Sequence, residues 1–326
     1  MSHHEQSKQL SRRTFMKQAA VAAAVLPAVS TGLYTSGVTN ERKAEDALEV
    51  HIFSKCLHFL DHRRMAEFAK NVGFDGVDIT VRPGGHVEPE NVAVDLPNAV
   101  KEVRGVGLKV KMIATAMGDP SDAVGRRVLE EAASLDIPFY RTDYFRYLKD
   151  KSVPESIAFF QQQAKELSEL NRKLNIVGCY QNHAGLMMGA SLWELWEFLR
   201  QADPEGLGVQ YDIRHAVAEG GLSWENGLRL IHPHIKTIVV KDFHWVEQKN
   251  GQWRPVSVPI GEGMVDFKKY FRMLKDFNIR VPASIHFEYP LGGVESGAKK
   301  LTIGQDEVFH AMKRDLLAIR KLWQEA

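Results

Sequence analysis

The segment SIAFFQQQAKELSELNRKLNIVGCYQNHAG, residues 156–185, reads as a helix, a strand and a polar tip, in that order. Its first part repeats apolar residues at helical spacing, with charged and amide residues between them. Ile176 to Tyr180 is apolar and partly β-branched, as a strand buried on both faces would be. Then come Gln181, Asn182 and His183, three side chains able to bind a metal or a hydroxylated ligand.

The same unit recurs in both directions along the chain. Upstream lie the strand-like runs LEVHIFS (48–54), FDGVDITV (74–81), LKVKMIAT (108–115) and PFYRTDY (138–144). Between them stand the helical patterns RRMAEFAKNVG (63–73), AVKEVRGVG (99–107) and AVGRRVLEEAASLDI (123–137). Downstream, LWELWEFLRQ (192–201) precedes the strand GLGVQYDI (206–213), and WENGLRLI (224–231) precedes IKTIVVKDF (235–243). DFKKYFRMLKDFN (266–278) leads to the last strand, PASIHFEY (282–289), and EVFHAMKRDLLAIRKLW (307–323) closes the chain. Eight strands, each followed by a helix, predict an α/β fold closed into a (β/α)8 barrel of the TIM type. A doubly wound open sheet fits less well, because no strand–GxGxxG–helix unit is present.

Composition narrows the partners. A formal net charge of +1 and 25% charged residues give no field that would draw nucleic acid or a membrane surface. A small, near-neutral ligand fits better. Cys56 and Cys179 both sit in apolar runs and read as buried free thiols.

Residues 1–30 are read as an address. SRRTFMK (11–17) followed by a mild alanine-rich stretch is the pattern of a twin-arginine export signal, with Ala28 and Ser30 at a cleavage site. The apolar run is too short and weak for a good spanning helix, so no stable membrane span is expected after signal removal. Residues 31–46 read as a polar linker and 47–326 as the barrel. The expected location is the periplasm, or wherever else the twin-arginine route delivers.

In barrels of this type the active site lies at the C-terminal ends of the strands. There the chain places Lys55 and His58, then Asp78, Arg82 and His86, then Arg141, Asp143 and Tyr144. Gln181, Asn182 and His183 follow, then Asp212, Arg214 and His215, then Lys241, Asp242 and His244, and last His286 and Glu288. Each has a quieter reading when taken singly. Asp212 can cap the helix after it. Lys241 and Asp242 can be an exposed adjacent pair, and Arg82 with Gly84 and Gly85 can be only a turn.

The ordered set GFDGVDITVRPGGHV (73–87), YQNHAG (180–185), VQYDIRHA (209–216), IVVKDF (238–243), PIGEGMVDF (259–267) and SIHFEYP (284–290) resembles the xylose isomerase-like barrels. This is the sugar phosphate isomerase/epimerase superfamily, which includes endonuclease IV-type proteins. The resemblance implies one divalent metal held by side chains of strands five to eight, usually a Glu, an Asp, a His or Gln, and a Glu. By motif, Gln181 falls where Glu is usual, Asp212 matches the Asp with His215 as its ligand-contacting neighbour, and Glu288 matches the last Glu beside His286. The strand-seven ligand would fall near Val239, which cannot ligate, with Lys241 the nearest polar group. Gln181, Asp212 and Glu288 are therefore the expected ligands of Mn2+, Mg2+ or Zn2+. The other reading is that the metal is gone and the Lys241 ammonium stands in for it.

The resemblance further implies enolisation next to the carbonyl of a sugar or keto-sugar, as in an isomerase or epimerase. Such chemistry needs a base for the C–H proton and a positive centre for the enediolate oxygen. The candidate catalytic residues are Glu288, Asp212, Lys241 and His183. The candidate substrate contacts are Arg82, His86, Arg141, Asn182, His215 and His286. The same enolisation would serve a lyase or hydratase acting on 3-keto-glycosides. A barrel that only binds sugar is the non-catalytic alternative, and abasic-site endonuclease activity is disfavoured by the near-neutral charge and the missing ligands. The lack of a phosphate cradle, together with export, favours an unphosphorylated sugar or glycoside. Barrels of this family are often dimers, and SLWELWEFL (191–199) reads either as a contact face or as core.

Overall fold

The computed structural model of the chain describes residues 46–326. The segment read as an export signal and all but the last residue of the expected linker lie outside these residues. Eight parallel strands close into a barrel. They are β1 (Val50–Phe53), β2 (Gly76–Val81), β3 (Lys109–Thr115), β4 (Phe139–Arg141), β5 (Val177–Gln181), β6 (Leu207–Asp212), β7 (Ile235–Val240) and, closing against β1, β10 (Ala283–Ile285). Every one coincides with a run read from the sequence, because strands covered on the outside by helices and on the inside by one another are apolar almost throughout.

The helices end where local chemistry stops them. Asp61 caps α1 (His62–Val72) by accepting the Arg64 N–H, and Gly73 ends it at φ 104°. After α2 (Val92–Gly105), α3 (Ala123–Ser134) begins at Asp122, whose carboxylate accepts two backbone N–H groups. A capping box between Ser152 and Glu155 opens α4 (Val153–Leu174), the helix of the opening segment, and left-handed Asn175 closes it. On α5 (Leu192–Leu199), Leu192, Leu195, Phe198 and Leu199 are buried while Trp193 is exposed, so this segment is mainly core. Two short helices, α6 (Ile213–Gly220) and α7 (Trp224–Ile231), follow β6. The remaining helices are α8 (Phe267–Asp276) and α9 (Gln305–Gln324). Both cysteines are buried free thiols. Among the described residues no helix is long and apolar enough to cross a membrane.

One element departs from the expected pattern. The seventh run was expected to continue as a barrel strand through Phe243, but pairing with β6 and β10 ends at Val240. The chain then rises from the barrel mouth as an antiparallel hairpin, β8 (Asp242–Glu247) with β9 (Trp253–Val258). Asn250-Gly251 at the turn, with Gly251 at φ 76°, is a strong short-range hairpin signal, flanked here by an alternating run. Its root is fixed by Asp242, which is buried and not half of an exposed pair. Its carboxylate accepts the backbone N–H groups of Phe243, Gly261, Gly263 and Val265.

Candidate active site

Because all barrel strands run the same way, Arg141, Gln181, Asp212, Lys241, His286 and Glu288 arrive at one end, each at or just past the end of its strand. Lys241 is their centre. Its Nζ lies 2.9 Å from Asp212 Oδ2, 2.9 Å from His215 Nε2, and 3.2 and 3.3 Å from the two oxygens of Glu288. Asp212 has two duties. Its Oδ1 accepts the His215 backbone N–H and so caps α6, while Oδ2 takes Lys241 and, at 2.7 Å, the Gln181 amide nitrogen. Gln181 turns its Oε1 to the Tyr144 hydroxyl at 2.5 Å and to Arg141 Nη1 at 3.2 Å. This amide orientation satisfies all three neighbours; the reverse would face N–H against guanidinium and oxygen against carboxylate.

Charge states follow from the packing. Burial pushes the Asp212 carboxyl up, but His215 and the Lys241 ammonium outweigh it and hold it at about 2. Burial likewise raises Glu288, and Lys241 with His286 brings it well below the ordinary carboxylate value. Burial lowers the Lys241 ammonium, yet Asp212 and Glu288 leave it net raised. The three histidines go the other way. Burial takes His286 down to about 4, lowers His183 with help from Lys241, and leaves His215 well below its usual value. At neutral pH the site thus holds two carboxylates, one ammonium and neutral imidazoles. His183 Nδ1 points at the Ala184 carbonyl oxygen at 2.9 Å, so Nδ1 carries the proton and Nε2 is left as an acceptor.

The donor set does not fit a divalent ion. Lys241 Nζ stands among the expected ligands within hydrogen-bond distance of both carboxylates, where an ion would need to be. Gln181 presents Asp212 with an N–H and turns its oxygen away to Arg141. An ion would have to expel a buried ammonium and reverse that amide. Val239, at the expected strand-seven position, is fully buried and pairs with Asp212 and Ser284 on the neighbouring strands. Among the described residues no group of three His, Cys, Asp or Glu side chains could hold a metal. Gln181, Asp212 and Glu288, the expected metal ligands, are thus arranged around an ammonium and do not fit a divalent ion as they stand.

Three expected substrate contacts also change role. Asn182 is fully buried and exchanges two hydrogen bonds with the Asp212 backbone, at 2.8 and 3.0 Å, so it fixes β5 to β6. His86 faces Ser54 Oγ through Nδ1 and the Leu60 carbonyl through Nε2, which leaves neither ring nitrogen for a ligand. His215 is 2% exposed and lies between two cations, with Arg214 Nη1 2.9 Å from Nδ1 and Lys241 Nζ 2.9 Å from Nε2; a neutral imidazole accepts from one of them and only packs against the other, so neither ring nitrogen is left for a ligand. His286 and Arg141 stay at the mouth. The His286 ring stacks on Phe53 with centroids 4.2 Å apart, and the Arg141 guanidinium lies 5.8 Å from the same ring centre. Arg82 joins them 5.6 Å from that centre. His286 Nε2 is buried without a hydrogen-bond partner among the described residues. Tyr144 and Arg214 belong to the cluster although neither has a role in the reading of the strand ends. Their positions at strand ends were visible, but their contacts were not.

A family model described as xylose isomerase-like TIM barrel matches residues 66–303. No protein of curated function matches the chain in sequence. Among solved structures, 3-keto-D-glucoside 4-epimerase from E. coli is similar at 12% identity and a TM-score of 0.61, over 84% of this chain and 99% of that one. D-psicose 3-epimerase, solved in the presence of D-fructose, is similar at 15% identity and a TM-score of 0.62, over 85% and 99%. A probable 3-DHS dehydratase of petrobactin synthesis from Bacillus anthracis is similar at 15% identity and a TM-score of 0.59, over 83% and 98%. At these identities the likeness speaks for the fold.

Proposed function

The chain belongs to the xylose isomerase-like TIM barrel family, and on that premise we propose that it is a sugar-modifying enzyme that removes a proton beside a carbonyl. The observation that carries this reading is the Lys241 ammonium at the barrel mouth. Its Nζ lies within hydrogen-bond distance of Asp212, His215 and Glu288, and of these neighbours only Glu288, with a third of its side chain exposed, can be reached from solvent. A substrate carbonyl oxygen would displace Glu288 from Nζ. The carboxylate then loses the charge that lowered its proton affinity and becomes a stronger base beside the carbon it must deprotonate. The C–H electron pair moves into an enediolate whose oxygen is held by Lys241, with Arg141 as the second fixed cation. His183, neutral with an open Nε2, is the proposed partner that exchanges a proton on the other side. Returning the proton to the neighbouring carbon or to the opposite face gives isomerisation or epimerisation. Loss of a β-substituent from the same enediolate would give a lyase. The similar structures include sugar epimerases and a probable dehydratase, which supports this range.

The proposed setting is the periplasm or another exported location, on the strength of SRRTFMK at 11–17. The proposed substrate is accordingly an unphosphorylated sugar or glycoside.

Deuterium uptake from D2O into D-fructose, D-psicose and 3-keto-glucosides tests the enolisation without requiring the product to be known. Glu288→Gln is expected to lower that exchange about 10²–10⁴-fold while leaving the fold intact. Unchanged exchange would remove Glu288 from the mechanism.

A further inference from the structure

The hairpin that rises from β7 has a face left open beside the charged site. Along β8, residues two apart share a side, so Phe243 and Trp245 succeed one another on one face, which Arg214 meets at Phe243. Pairing adds the other strand: Trp245 stands opposite Pro255, and Glu247 opposite Trp253. Residues directly opposite in an antiparallel pair share a face. Phe243 is buried at the root, while Trp245 is 40% and Trp253 60% exposed. The link to the site is direct. Arg214 lies 5.2 Å from the Phe243 ring centre and donates from Nη2 to the Pro255 carbonyl. Its Nη1 is 2.9 Å from His215 Nδ1, and the other nitrogen of that ring meets Lys241. With Asp242 clamping the root through four backbone N–H groups, the face is built before any ligand arrives.

We propose that this shelf binds the aglycone or second sugar ring of a glycoside whose reacting ring sits at Lys241. The inference rests on the sugar reading above and narrows the substrate class to glycosides. Four residues of extended chain separate Lys241 from Trp245, about 13 Å at strand rise. A single sugar ring held at Lys241 stops short of the indoles, whereas a second ring extends towards Trp245, with Trp253 farther along the same face. Indole offers a flat apolar face for an aromatic aglycone or the C–H face of a sugar, with an N–H for hydroxyls. Continuity with the charged cluster through Arg214 favours this occupant over a second copy of the chain.

Calorimetry with methyl and phenyl glycosides of glucose, galactose and mannose, together with cellobiose, tests it on the full chain. The unaltered protein is expected to bind phenyl glycosides or cellobiose about three- to tenfold tighter than the matched methyl glycoside. Trp245→Ala/Trp253→Ala is expected to bind the longer ligands only as well as the methyl glycoside, with methyl glycoside affinity unchanged. A preference that is absent, or that survives in the double variant, overturns the shelf and leaves the sugar reading standing. Binding of no glycoside at all overturns the shelf, while the sugar reading is decided separately by deuterium exchange into the keto-sugars. A dimer in sedimentation that the double variant converts to monomer also overturns the shelf, because a second copy then covers the face.

Discussion

Lys241→Ala is expected to lower deuterium exchange into substrate about 10²–10³-fold, the loss that follows removal of one positive or hydrogen-bonding group from a developing oxyanion. The reason is positional. Lys241 Nζ is the ammonium that meets Asp212, Glu288 and His215 at once, and its side chain is 2% exposed. Removing it leaves two carboxylates near each other with no cation between them. Asp212, now held only by the Gln181 amide and its capping bond, loses the charge that kept its proton affinity low. The variant also leaves a cavity with the shape of the missing side chain. Ethylammonium added to Lys241→Ala is expected to restore part of the exchange, whereas it should do nothing for the unaltered protein. A purely structural role for Lys241 would give no such rescue.

Asp212→Ala is expected to be the most destabilising of the site substitutions, by about 3–5 kcal/mol, because it breaks a buried ion pair from one side. Lys241 would keep only the rim carboxylate and a neutral imidazole, and α6 would lose its N-cap. Urea denaturation at pH 7 measures the loss as a lower midpoint with an unchanged slope. The pH dependence carries a second signature. Asp212 ionises at about 2 in the folded chain against an ordinary 3.8, so its proton affinity is depressed on folding. Its contribution is therefore complete above about 3.8 and is lost as pH falls towards 2, on the order of 2 kcal/mol in all. Asp212→Ala should lack that acid-limb decline. An unchanged midpoint at neutral pH would mean that the ion pair adds nothing net to stability.

The barrel was legible because its signal is repeated. Each βα unit carries the same apolar run, the same helical spacing and a cap or glycine at the junction, so an error at one boundary does not disturb the rest. The strand-end rule then names Arg141, Gln181, Asp212, Lys241, His286 and Glu288, which the fold brings to one mouth. What could not be read was which groups face one another. Asp212 could be a cap or a site residue from its sequence alone, and it is both, one oxygen for each duty. Asn182 and His86 have the right chemistry for sugar hydroxyls, yet backbone groups and neighbouring side chains take up their polar atoms. The metal expectation failed to fit for the same reason. The sequence left two readings open there, a divalent ion or the Lys241 ammonium in its place, and the convergence of Lys241 on Asp212 and Glu288 favours the second. The hairpin is a different case. Asn250-Gly251 is a turn signal in the sequence, but the apolar run before it continues the barrel pattern.

In the proposed mechanism an ammonium of the chain itself, and not a divalent ion, holds the reacting oxygen. Metal content by elemental analysis, on the purified protein and again after soaking in Mn2+ and desalting, tests it most directly, with Asp212→Asn alongside. The account predicts no ion near one per chain in either protein, and deuterium exchange that survives chelator treatment. About one Mn, Mg or Zn per chain, lost in Asp212→Asn and required for exchange, would contradict it.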